Sequence, residues 1–124
     1  MSIHRDILLV EDEAAIADLL CRMLVRAHYT VRVASDGSQA LAALGEDRPT
    51  VLILDLALPH VSGFTVMEHV HQQQMTLPII VITANPRYLD SLRNAGILHV
   101  LIKPFGLEEL LATVRAIIGS PSPF

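Results

Sequence analysis

Residues 51–55 read Val-Leu-Ile-Leu-Asp and run on through Leu-Ala-Leu-Pro-His-Val-Ser-Gly to residue 63. Four apolar residues without a polar interruption, closed by a carboxylate, describe a strand shielded from water on both faces that ends in a charge. Strands of that kind belong to parallel sheets covered by helices on each side. Working outward, Ile7–Val10 (ILLV) and Ile79–Thr83 (IIVIT) have the same character, and Val100–Ile102 is a shorter version. Thr30–Ala34 alternates instead, setting Val31 and Val33 against Thr30 and Arg32, as a strand nearer a sheet edge does.

Helical periodicity fills the gaps between these runs. Ile16, Leu19, Leu20, Met23, Leu24 and Ala27 recur at three- and four-residue steps and form one apolar stripe, and Leu107, Leu110, Leu111, Val114, Ile117 and Ile118 form another. Asp36 is placed to cap a short helix through Leu44 that stops near Gly45. Pro86 suits the first turn of a helix running to Ala95, with Gly96 as its stop, while the segment Gly63–Gln74 is helical but less regular. Five strands, each followed by a helix, require parallel pairing through crossover connections. A doubly wound α/β sheet is the arrangement that buries both of its faces. Such sheets bind their ligands beyond the carboxyl ends of the strands, so function rests on what stands there.

Composition narrows the classes of function. The chain has 124 residues, 52% hydrophobic and 18% charged, which suits one folded domain and excludes disorder. A net charge of −4 without a basic run argues against contact with nucleic acid by this segment. The single cysteine, Cys21, excludes a disulfide framework and a cysteine-based zinc site, and fits a reducing compartment. The first apolar run is cut short by Glu11, Asp12 and Glu13, too early for a signal-peptide core, and the other runs are far below the ~20 residues of a membrane span. A cytoplasmic location is therefore expected. The domain is expected to occupy residues 1–119, with 120–124 as a tail or the start of a linker.

The strand ends bring together unlike charges. Glu11, Asp12 and Glu13 follow the first strand, Asp55 ends the third, Thr83 ends the fourth, and Lys103 with Pro104 follows the fifth. Lys103 is the only lysine among nine Lys and Arg residues, which points to a use for a compact point charge. Like charges about 4 Å apart repel by roughly 4 kcal/mol at an effective dielectric of about 20. Several carboxylates on one rim must therefore raise a pKa or recruit a cation, and Lys103 offsets only one of them. A hard divalent cation such as Mg²⁺ would supply the remainder and leave Asp55 ionised, as a nucleophile toward phosphorus. Taken singly, Asp12, Asp55 and Thr83 have a plainer explanation as helix caps. Only their convergence on one rim favours a phosphate site.

Together these residues resemble the receiver domain of two-component response regulators, over residues 7 to about 118. The motifs are LLVEDE at 8–13, LILDLALPHVSG at 52–63, VITA at 81–84, AG at 95–96 and LIKPF at 101–105. The resemblance implies a flavodoxin-like (βα)5 fold with strand order 2-1-3-4-5. It implies that Asp55 is the phosphoacceptor and that Mg²⁺ (or Mn²⁺) is held by Asp12, Asp55, the Ala57 carbonyl and, through water, Glu11. It makes Thr83 the switch hydroxyl, Ala84 the residue whose N–H faces the phosphoryl group, and Lys103 the phosphate-pairing lysine. A cis peptide bond before Pro104 is implied as well, and Pro59 and Gly63 match the residues that shape the loop after Asp55. The chain departs from the family at Val100, where a switch aromatic usually stands, so an altered response around the fourth helix and fifth strand is expected. His99 beside it should point to the opposite face. Ala57 and Asn85, two residues beyond Asp55 and Thr83, occupy positions that flank attacking water and tune the phosphorylated lifetime.

The expected function is a signalling domain that catalyses its own phosphorylation and dephosphorylation. The phosphoryl donor would be a sensor histidine kinase or a phosphotransfer protein. By resemblance the output face spans Pro86 to Ile118 and would meet an effector domain or partner. Output, cognate kinase and oligomeric state, a homodimer included, stay open. The rivals are a receiver-like interaction module that is never phosphorylated and an aspartyl phosphatase; the latter usually has a second acid where this chain has Ala57. None of the six histidines is assigned a ligand role: His69 and His71 do not face each other on a helix, His4, His28 and His99 read as surface or edge positions, and His60 lies in the loop after Asp55.

Overall fold

The structure, a computed structural model, describes residues 6–119. His4 and the expected tail at 120–124 lie outside the described residues. In chain order the elements are β1 (Asp6–Val10), α1 (Ala14–Arg26), β2 (Thr30–Ala34), α2 (Gly37–Glu46), β3 (Val51–Asp55) and α3 (Gly63–Gln72). Then come β4 (Ile79–Thr83), a 3₁₀ turn (Pro86–Tyr88), α4 (Leu89–Asn94), β5 (His99–Ile102) and α5 (Leu107–Ile118). All strand pairs are parallel and the sheet order is β2-β1-β3-β4-β5. The doubly wound five-stranded sheet expected from the run pattern is thus the observed architecture, with alternating β2 on one edge.

Alternation along each strand divides the core into two layers. Ile7, Leu9, Ile53, Ile80, Ile82 and Leu101 pack with Leu20 and Leu24 of α1 and Leu110 and Val114 of α5. Leu8, Val10, Leu52, Leu54 and Val81 pack on the other face with α2, α3 and α4, through Ala40, Leu44, Val66, Val70 and Leu92. The inner strands have no solvent-facing side: every residue of β3 and of β4 is buried. Each large aliphatic side chain buried this way contributes about 1.5–3 kcal/mol, so the sheet centre is the least deformable part of the molecule.

Three helix boundaries differ from the sequence expectation, each for a tertiary or backbone reason. The second helix ends at Glu46, one residue past Gly45, where Arg32 of β2 donates to the Ala43 and Asp47 carbonyls while its guanidinium pairs with Asp6 at 2.9 Å. The third ends at Gln72 rather than Gln74, which sits at a positive φ of 54°. The fourth is split: Asn85 caps a 3₁₀ turn at Pro86, and only Leu89–Asn94 is α-helical before Gly96, at φ 86°.

Close approach of backbone fixes the start of α3 under the end of β3. A Cβ on Gly63 would stand 2.7 Å from the Leu56 Cα and 2.9 Å from the Asp55 carbonyl oxygen, so only glycine fits. A Cβ on Gly45, by contrast, would meet nothing within 4 Å. Gly63→Ala is expected to destabilise the domain by about 1–3 kcal/mol through overpacking, and Gly45→Ala to stabilise it by up to about 1 kcal/mol. Urea unfolding of the two variants measures both, and equal effects would contradict the packing described.

Candidate functional site

The pairing register delivers the site. Val10 lies opposite Leu54, so Glu11 emerges level with Asp55. Asp55 in turn lies opposite Ile82, and Thr83 opposite Ile102, one residue short of Lys103. Backbone bonds carry the ladder over the rim: Glu11 N–H donates to Ala34 O, Leu56 N–H to Ile82 O, and Lys103 N–H to Thr83 O. Four neighbouring strands therefore place polar residues within two residues of one level, above a sheet too tightly packed to shift.

Asp55 is 2% exposed, and both of its oxygens are engaged. Lys103 Nζ donates to Oδ2 at 2.7 Å, and the Ala57 N–H donates to Oδ1 at 2.9 Å. Carboxylate oxygens of Glu11, Asp12 and Asp55 all lie within 4.8 Å of one another. Glu11 is buried and accepts from the Glu13 N–H at 3.3 Å, whereas Asp12 is exposed. Thr83 is 4% exposed, and its hydroxyl accepts from the Asn85 N–H at 3.1 Å. Ala84, next to it, is exposed, and the Lys103–Pro104 peptide bond is cis.

Two pKa shifts record the crowding of charge. Burial pushes the Glu11 carboxyl up to about 7; the Glu13 N–H opposes this, and the negative charge of Asp55 adds to it. For Lys103, burial works against the charge, but the Asp55 hydrogen bond and the charges of Asp55 and Glu11 outweigh it and hold its pKa above the ordinary lysine value. One ammonium thus faces the charges of Asp55, Glu11 and Glu13. An all-oxygen donor set with surplus negative charge and one exposed member fits a hard divalent cation such as Mg²⁺.

The plainer explanation of these residues as helix caps is not what the structure shows. The cap of α3 is Ser62, that of the 3₁₀ turn is Asn85, and α1 begins after Glu13 with no side-chain cap. Asp12, Asp55 and Thr83 are left for the rim. Glu13, the third acid after β1, is exposed; its N–H donates to Glu11 and its charge adds to the field at Lys103. Val100 packs half-buried on the α2–α4 face, and His99 alternates to the other face of the sheet. His28, His60 and His71 are exposed, and Cys21 is half-buried on α1. Sequence reasoning missed the Asn85 link to Thr83, although an Asn directly before a helix-initiating Pro is a capping signal. It also missed the burial of Glu11, which no local pattern announces.

The sequence model of a family described as the response regulator receiver domain matches residues 7–115. Among curated relatives, the response regulator MprA of Mycobacterium leprae is 38% identical over 119 residues, covering 94% of this chain and 52% of that protein. MprA of Mycobacterium ulcerans is 40% identical over 114 residues, covering 90% of this chain and 49% of its own length. The chain spans about half the length of the curated relatives it matches. Among solved structures, the chemotaxis protein CheY4 of Vibrio cholerae superposes with a TM-score of 0.83 at 30% identity, covering 94% of this chain and 99% of that one. A CheY-like receiver domain protein from Methanospirillum hungatei gives 0.84 at 25% identity, with 93% of each chain covered.

The raised Glu11 pKa has a thermodynamic consequence. The folded state binds this proton more tightly than the unfolded chain, whose carboxyl titrates near 4.5. The Glu11 contribution to the stability of chelator-treated protein therefore falls as pH rises from about 4.5 to about 7, and levels off above. Glu11→Gln should remove this part of the decline and be the more stable protein at pH 8, by on the order of 2 kcal/mol. Urea unfolding of both proteins at pH 5 and pH 8 measures it; parallel pH profiles would contradict the assignment.

Proposed function

Because this chain belongs to the response regulator receiver family, we propose that it is a phosphorylation-controlled signalling domain whose phosphoacceptor is Asp55. The carrying observation is that one deeply buried carboxylate, at a strand end, holds both the Lys103 ammonium and the Ala57 N–H within 2.9 Å while two more carboxylates crowd it. The donor would be a phosphohistidine on a sensor histidine kinase or phosphotransfer protein. An Asp55 oxygen forms the new bond to phosphorus as the P–N bond breaks, and the imidazole keeps the electron pair and is protonated.

Asp12 and Asp55 would hold Mg²⁺, with Glu11 and the Ala57 carbonyl supporting it; when bound, the ion neutralises charge on the rim and on the transferred group. The chain's own residues do the rest. Lys103 already touches Asp55 and is placed to pair with a phosphoryl oxygen. The Ala57 N–H holds the attacking carboxylate in one orientation. The Thr83 hydroxyl accepts from Asn85, so its own proton is free to be donated to a phosphoryl oxygen, and the exposed Ala84 leaves room for one beside its N–H. Slow hydrolysis resets the domain. Phosphorylation adds about −1.5 to −2 charges beside Lys103 and shifts the population toward whichever conformer binds them better. The partner-facing surface would then be the segment from Pro86 to Ile118, with Val100 in place of an aromatic ring.

Incubation with Mg²⁺ and acetyl phosphate should add one phosphoryl mass to the wild-type protein and none to Asp55→Asn. A wild-type protein that never labels would favour a receiver-shaped binding module, and labelling that persists in Asp55→Asn would move the phosphoacceptor to another residue. Ala57→Asn, which places an amide beside the path of attacking water, should change the dephosphorylation rate severalfold while leaving labelling intact. A time course of phosphoprotein decay measures it, and an unchanged lifetime would remove that role from position 57.

A further inference from the structure

Two connections leave the rim, and one pair of rings joins them. The first begins at Asp55 and returns to meet it, since Gly63 approaches Leu56 and the Asp55 carbonyl too closely to admit a Cβ. Phe64 is the next residue, and Ser62, accepting from Thr65 N–H at 3.3 Å, caps the helix it starts. The second begins at Thr83 and is held by successive short bonds. Asn85 N–H donates to the Thr83 hydroxyl at 3.1 Å, and Arg87 N–H donates to Asn85 Oδ1 at 3.0 Å. The 3₁₀ turn that follows buries none of its residues and ends in Tyr88. The Phe64 and Tyr88 rings meet edge to face, 5.1 Å between centroids and 79° between planes. At 39% and 37% exposed, they are not part of the core, so the contact is a bridge across the surface.

We infer that the Phe64–Tyr88 contact is a latch that holds the β4–α4 connection in its unphosphorylated position, and that phosphorylation of Asp55 opens it. This rests on the phosphoacceptor reading of Asp55. When the Thr83 side chain turns to donate to a phosphoryl oxygen, its own oxygen leaves the Asn85 N–H, and the first link of the connection is lost. The turn must readjust, and nothing buried restrains it. The start of α3 is fixed by the Gly63 approach and the Ser62 cap, so Tyr88 is the ring that moves. A contact present in one of two states biases their equilibrium by its own free energy. For an edge-to-face pair this amounts to about a two- to tenfold change in apparent affinity for whatever stabilises the other state.

The chain has two tyrosines, Tyr88 and the buried Tyr29, so 3-fluorotyrosine labelling gives two ¹⁹F resonances, one of them an internal reference. Titration with beryllofluoride and Mg²⁺, a phosphoryl mimic whose own bound ¹⁹F resonance reports occupancy, should shift the Tyr88 signal and leave that of Tyr29 nearly in place. Phe64→Leu and, separately, Tyr88→Leu should each tighten beryllofluoride binding about two- to tenfold, with no further gain in the double variant. An unchanged Tyr29 signal in Phe64→Leu certifies that it is folded. Beryllofluoride that binds without moving Tyr88, or binds both single variants with the wild-type affinity, overturns the latch and leaves the phosphoacceptor reading standing. Failure of the mimic to bind at all overturns both.

Discussion

A carboxylate 2% exposed, with two others within 4.8 Å, can persist only where positive charge is brought to it. Here that charge is the Lys103 ammonium, 2.7 Å from Asp55, and it is one unit against three. The remaining imbalance is visible in Glu11, whose carboxyl is pushed up to about 7, chiefly by burial. This standing surplus of negative charge is the constraint from which the rest follows. It suits the rim to a hard cation and makes the site sensitive to any group that adds or removes charge there, while Lys103 and the Ala57 N–H hold the Asp55 carboxylate in place.

The fold makes such an arrangement tolerable. Parallel strands with both faces buried end together at one edge, and their register, Val10 against Leu54 and Asp55 against Ile82, leaves no freedom to separate the charges. The cost of crowding them is met by two apolar layers made from opposite sides of the same strands. The connections above the rim are different in kind. They are short, exposed and held by single hydrogen bonds such as Asn85 to Thr83, so they can respond where the sheet cannot.

Much of this was legible in the chain. Runs such as ILLV, VLILD and IIVIT carry no polar interruption because they are buried on both faces, and that alone announces a covered parallel sheet. Asp55, Thr83 and Lys103 stood out because strand-end polar residues share one edge in such a sheet. The family resemblance added the residue roles and the strand order. What was not legible depends on partners distant in sequence. The contacts at the end of α2 are of this kind, since Arg32 on β2 reaches the Ala43 and Asp47 carbonyls. The burial of Glu11 beside an exposed Asp12 depends on what packs over β1, and the absence of cap duty for Asp12, Asp55 and Thr83 required seeing Ser62 and Asn85 in that role.

The most direct measurement is chemical trapping at the proposed bond. An acyl phosphate is reduced by borohydride to an alcohol, which turns a phosphorylated aspartate into homoserine that peptide mass spectrometry can place. Homoserine is expected at position 55 in protein phosphorylated in the presence of Mg²⁺, and none when the metal is chelated beforehand. Homoserine at another carboxylate of the rim, or none at position 55 under conditions that label the protein, would contradict the assignment of Asp55 as phosphoacceptor.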